Sequence, residues 1–161
     1  MASKTSAGLL MYRVKNGKIE FLLGHPGGPF FKNKNNGFWT IPKGEIKKDE
    51  APLETAEREF EEETGLKPIK EFIPLGEIIQ KNDKKVFAWA FESTDWQDDN
   101  TISIPQTNLV EIEWPPKSGK TIKFSEIDKL EFFDFENAKE KINQAQIPFL
   151  ENLLKYIDKN L

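Results

Sequence analysis

Glutamates crowd one stretch of this chain at a spacing suited to chemistry. Within residues 44–66, GEIKKDEAPLETAEREFEEETGL, Glu59, Glu62 and Glu63 stand at i, i+3 and i+4. At about 100° per residue the three fall on one quadrant of a helix. Leu53, Ala56 and Phe60 make the neighbouring apolar stripe that faces a core. Carboxylates on one ridge repel each other unless positive charge lies among them, and a hard divalent cation with oxygen ligands answers that need. The position is also unusual for a helix. Acidic residues suit the start of a helix, yet Glu61, Glu62 and Glu63 stand at its end, where they oppose the dipole. A local rule broken in this way marks a functional site.

The same stretch resembles the box of the Nudix hydrolase family: G, five residues, E, seven residues, then R-E-U-x-E-E-x-G-U, with U apolar. Gly44, Glu50, Arg58, Glu59, Phe60, Glu62, Glu63, Gly65 and Leu66 fill it without a gap, with an aromatic residue at the first U. The preceding WTIPKG resembles the W-x-x-P-K-G entry of the dinucleoside polyphosphate branch. Further on, FSEIDKLEFF and AQIPFLENLL resemble a bacterial group of predicted Nudix pyrophosphohydrolases, in which E-L-E-W-P-P, F-x-E-x-D and a terminal Q-x-x-F-L recur.

The resemblance implies an α/β (α+β) fold, the family's α/β/α sandwich with a mixed β-sheet. It implies a metal-dependent hydrolase of a diphosphate linkage in nucleoside polyphosphates, with Mg²⁺ or Mn²⁺ as cofactor. Diadenosine tetraphosphate and its relatives are the expected substrates. A pyrophosphohydrolase of canonical or oxidised nucleoside triphosphates is the alternative, and a non-catalytic nucleotide-binding regulatory module is the competing class. Glu59, Glu62 and Glu63, with the Gly44 backbone carbonyl, are the expected metal ligands. Glu59 and Glu62 belong to the catalytic set, and Arg58 orients a carboxylate. The family commonly adds a glutamate from outside the box. Glu126 is the candidate, as ligand or as the base that activates water, with Glu111 and Glu113 as alternatives.

Lys43, next to the cluster, can neutralise a phosphate oxygen. Substrate contacts are also expected of His25, the chain's single histidine, in the loop GHPGGPFFKNKNNG. Trp114 can stack a nucleobase, and Lys117 or Lys120 can hold phosphate. Phe30 and Phe31 can cover the site or pack, with packing the expectation; Lys81, Lys84 and Lys85 can approach phosphates, with a solvated turn the expectation.

These groups need a scaffold. The chain has 161 residues, 37% of them hydrophobic, which predicts one globular domain with a real core. A net charge of −4 excludes nucleic-acid binding by bulk electrostatics, so any polyanionic substrate needs local Lys or Arg or a metal, and the resemblance implies that this partner is a small nucleotide. The absence of cysteine excludes disulfides, zinc–thiolate sites and cysteine nucleophiles. No apolar run suggests a signal peptide or membrane span, so a soluble cytoplasmic monomer or homodimer is expected.

Residues 6–14 and 19–23 read as a hairpin around Asn16-Gly17. Residues 38–43 read as a short strand into Gly44. Asp49 is the expected N-cap of the box helix, with Pro52 in its first turn and Gly65 at its end. Strands are expected over 74–82, 85–93, 109–114 and 129–133. The segment 94–108 reads as a polar excursion. Helices are expected from Asp134 through Lys141 and over 146–161.

Overall fold

The computed structural model describes residues 4–93, 100–105 and 109–160. In chain order it contains β1 (Thr5–Lys15), β2 (Lys18–Pro26), β3 (Lys43–Glu45), α1 (Pro52–Thr64), β4 (Ile73–Gln80), β5 (Lys84–Glu92), β6 (Thr101–Ile102), β7 (Leu109–Glu113), β8 (Thr121–Ser125), β9 (Ile127–Asp134), α2 (Phe135–Lys141) and α3 (Ile147–Lys159). The main sheet runs β4-β5-β1-β2-β9-β6, with β3 added beside β1. β1 and β5 are parallel and the other pairs antiparallel, so the sheet is mixed.

Strand β1 is its spine. Residues Ser6–Arg13 are buried throughout, and their alternation feeds two cores. Ala7, Leu9 and Met11 join Ala56 and Phe60 of α1 on one face. Leu10 and Tyr12 join Ala138 of α2 and Phe149, Leu150 and Leu153 of α3 on the other. The result is the expected α/β/α sandwich. In β5, Val86, Ala88 and Ala90 enter the second core, while Phe87, Trp89 and Phe91 face α1.

One edge of β1 is shared. Its first half pairs with β3 through Ser6, Ala7 and Gly8, and its second half with β2 from Tyr12 onward. The sheet forks there. Gly8 permits the fork, because a Cβ at that position would overlap the Pro42 carbonyl and the Lys43 side chain. Lys43 of β3, on one branch, lines the site described below.

Several local expectations needed correction. Asp49 is not the N-cap; it adopts a left-handed conformation, φ 66°. Pro52 disfavours helical geometry in the residue before it, so Ala51 is extended (φ −74°, ψ 148°) and takes the capping position. Residues 38–43 make isolated bridges, Trp39 with Ile142 and Thr40 with Gly24, and pairing along a strand begins only at Lys43. Pro42, which lacks an N–H, interrupts the ladder. Residues 121–125, which are not among the expected strands, form β8, which pairs with β7 as a separate hairpin. The 94–108 excursion includes β6, and its residues 94–99 and 106–108 lie outside the described residues. The Asn16-Gly17 turn is as expected, with both residues at positive φ between Lys15 and Lys18.

Phe60 locks α1 to the sheet: it is wholly buried and meets Phe91 edge-on at 5.2 Å between ring centroids. Phe60→Ala should therefore cost about 3–5 kcal/mol of unfolding free energy in a denaturant titration, the range typical of a large-to-small change in a packed core.

Candidate active site

Helix α1 presents Glu59 and Glu63 one turn apart, and the β8–β9 junction brings Glu126 to them. One carboxylate oxygen from each lies within 4.8 Å of the others. Glu63 is 6% exposed, and among the described residues its Oε2 is the one buried side-chain oxygen or nitrogen without a hydrogen-bond partner. Burial, then the charges of Glu59 and Glu126, push its carboxyl well above the ordinary range, against the opposing Lys43 charge and backbone N–H. Glu59 is also pushed up, first by burial, with Arg58 opposing and Glu62 and Glu126 adding to it. A cluster this costly, with an orphaned anionic oxygen, fits a hard divalent cation.

Two features hold the cluster in place. Gly44 packs against Glu59 so closely that a Cβ would overlap the carboxylate. Arg58 then clamps the helix from its other side. Its Nε and Nη2 donate to the two oxygens of Glu50 at 2.8 and 3.1 Å, and Nη1 donates to Glu59 Oε1 at 2.9 Å. Thr55 Oγ donates to Glu50 as well. Hydrogen bonds from Arg58, then from Thr55, hold the Glu50 carboxyl down at about 2. Glu62 stands outside the group of three. Its side chain is 44% exposed and accepts from Arg58 Nη1 at 3.3 Å. The third partner of Glu59 and Glu63 is therefore Glu126, which arrives from another element.

Beside the carboxylates is a cavity of about 350 Å³, lined by Lys43, Glu63 and Glu126 on one side and by Phe30, Phe31, Phe124 and Ile112 among its apolar walls. That size and character suit part of a small ligand. The Lys43 ammonium is pushed down, chiefly by burial and also by Lys84, with Glu63, Glu59 and Glu45 opposing.

His25 is buried, and both of its ring nitrogens have partners within the chain. It is 3% exposed, its Nδ1 lies 2.7 Å from Asp128 Oδ1, and its Nε2 lies 2.5 Å from the Lys34 carbonyl. Its ring meets Trp39 edge-on at 5.3 Å. It ties the loop after β2 to β9 and does not line the cavity. Trp114 and Lys117 sit at the outer end of the β7–β8 hairpin and do not line this cavity; the Lys117 N–H instead donates to Glu113 at 2.8 Å. The hairpin contributes Ile112 and Phe124. Phe124 was missed in sequence, although a lone aromatic residue two places before Glu126 was the available signal.

A model of the NUDIX domain matches residues 3–153. The chain belongs to the NUDIX family. Among relatives, this Nudix chain is 32% identical over 105 residues to the asymmetrical bis(5'-nucleosyl)-tetraphosphatase of Rattus norvegicus. The match covers 56% of this chain and 66% of that relative, just under two-thirds of its length. Among solved structures, an Ap4A hydrolase binary complex from C. elegans superposes with a TM-score of 0.63 at 20% identity, covering 97% of this chain and 98% of that one. The NUDIX domain of Shewanella oneidensis NrtR, complexed with ADP ribose, gives 0.65 at 13% identity, covering 98% and 90%. These likenesses show the Nudix fold. Among the described residues no helix is long and apolar enough to cross a membrane.

The carboxyl shifts have a thermal consequence. Folded Glu59 and Glu63 bind protons more tightly than their unfolded forms, so their contribution favours the fold at low pH and falls as pH rises from about 4.5 through the raised values. Glu50 acts oppositely, but its window runs from about 4.5 down to about 2. In chelator, Tm should thus fall between pH 5 and pH 8, and less so in Glu63→Gln. Mg²⁺ or Mn²⁺ should raise wild-type Tm by roughly 3 °C or more at pH 8, the shift made by about 1 kcal/mol in a chain of this size, and by less at pH 5. Thermal melts at the two pH values test both.

Proposed function

We propose that this Nudix chain is a hydrolase that uses Mg²⁺ or Mn²⁺ to cleave a diphosphate linkage in nucleoside polyphosphates, with dinucleoside polyphosphates such as diadenosine tetraphosphate as its substrates. The observation that carries the reading is the Glu59–Glu63–Glu126 group, with its orphaned buried oxygen, opening onto an apolar cavity beside Lys43. The W-x-x-P-K-G entry and the name of the rat relative favour dinucleoside polyphosphates over other nucleotides.

Glu59, Glu63 and Glu126 would hold the cation, with Glu62 and the Gly44 carbonyl as further donors. A bound divalent cation supplies Lewis acidity and neutralises phosphate charge. Lys43 then pairs with a phosphate oxygen at the cavity mouth. The aromatic walls take the nucleobase and exclude water. In the chemical step a water oxygen bonds to phosphorus, and the bond from that phosphorus to the bridging oxygen breaks. The electron pair leaves with the departing phosphate, and the water proton passes to a carboxylate oxygen, for which Glu126 and Glu59 are both within the group. Positioning and electrostatics carry most of the rate in such a transfer. Arg58 acts through Glu59 and Glu50 and touches no substrate.

Purified protein should hydrolyse diadenosine tetraphosphate with Mg²⁺ or Mn²⁺ faster than canonical or oxidised nucleoside triphosphates and nucleotide sugars. Tight binding of nucleotides without turnover would instead identify a regulatory module. Glu63→Gln and Glu126→Gln should each lower kcat by about a hundredfold or more while leaving circular dichroism unchanged. A full rate in both variants would refute the site.

A further inference from the structure

A second cavity, of about 530 Å³, adjoins the first. The two share Pro26, Phe31, Thr40 and Lys43 as a common wall, so a ligand running from one to the other passes the Lys43 ammonium. Their linings differ. The first carries the carboxylates and an apolar, aromatic wall. The second carries Phe38, Lys81 and the amides of Gln80, Asn143 and Gln144. Phe38 is 38% exposed, and its ring lies tilted 6.2 Å from that of Phe31. Lys34 approaches the same ring to 5.7 Å. Lys81 is exposed at the β4–β5 turn, so the lysine expected in a solvated turn also lines a cavity that shares Lys43 with the active site. An aromatic face, side-chain amides and a cation are the groups that recognise a base and an adjoining phosphate.

We infer that this second cavity is the subsite for the second nucleoside of a dinucleoside polyphosphate, with Phe38 against the base, Lys81 on the phosphate next to it, and the polyphosphate crossing between the cavities at Lys43. This rests on the hydrolase reading above and adds to it a reason for preferring substrates with two nucleosides. A nucleoside triphosphate fills the first cavity and has nothing to place in the second.

The test compares diadenosine tetraphosphate with adenosine tetraphosphate, which has the same phosphates and lacks the second nucleoside. Phe38→Ala should raise KM for diadenosine tetraphosphate about tenfold at constant kcat, the scale of one lost stacking contact. KM for adenosine tetraphosphate should move by less than about twofold. Lys81→Glu, an exposed change outside the core, should raise KM for diadenosine tetraphosphate by a similar factor. Equal effects of Phe38→Ala on the two substrates, or no effect of either variant, would overturn the second subsite while leaving the hydrolase reading intact. A wild-type protein that cleaves neither substrate would remove both.

Discussion

Three carboxylates gathered within 4.8 Å, one of them buried, are the constraint around which this structure is arranged. Without positive charge the group is unfavourable, and burial raises the cost. The surrounding structure must therefore hold it together by force of packing. Phe60 anchors α1 through the sheet core, so Glu59 and Glu63 cannot rotate away. Gly44 gives Glu59 a flat backbone to lie against. Arg58 takes up charge on the outer side, holding Glu50, Glu59 and Glu62 in one fan of hydrogen bonds.

The division of labour within the box follows from this geometry. Seen as a helix ridge, Glu59, Glu62 and Glu63 are equivalent. In the folded chain they are not. Glu63 is buried and lines the cavity, Glu59 is mostly covered and lies against Gly44, and Glu62 is nearly half exposed with Arg58. The fork exists because β1 shares one edge between β3 and β2, which Gly8 makes possible. Strand β3, one branch of the fork, brings Lys43 to the cavity. Stability and function thus meet in one strand, with β1 supplying both cores and the opening at their margin.

Loops around the fork are held by polar ties more than by packing. His25 joins Asp128 to the Lys34 carbonyl, and buried Gln146 joins Thr40, the Ile41 N–H and Gln80. These ties set the walls of both cavities. Each is a buried polar group satisfied from two or more directions, the condition under which such groups specify a single arrangement.

Local chemistry was legible in the sequence. The box and its periodicity gave the acidic helix; Gly65 marked its end; Asn16-Gly17 marked the first hairpin; the alternation of residues 86–91 separated two faces. Each depends on neighbours a few residues apart, where backbone preferences and side-chain period govern the outcome. The family and its mixed sheet followed from the same stretch. Tertiary structure decided what depends on meetings between distant segments. Glu126 joins Glu59 and Glu63 because the β8–β9 junction lies against α1, although more than sixty residues separate them in the chain. His25 became a buried tie because Asp128 and Lys34 converge on it. Trp114 and Lys117 were carried to the far end of a hairpin whose second strand, β8, had no strong local signal, and that hairpin put Phe124 at the cavity instead. Side-chain type restricts what a residue can do; the long-range packing of the chain determines what it meets.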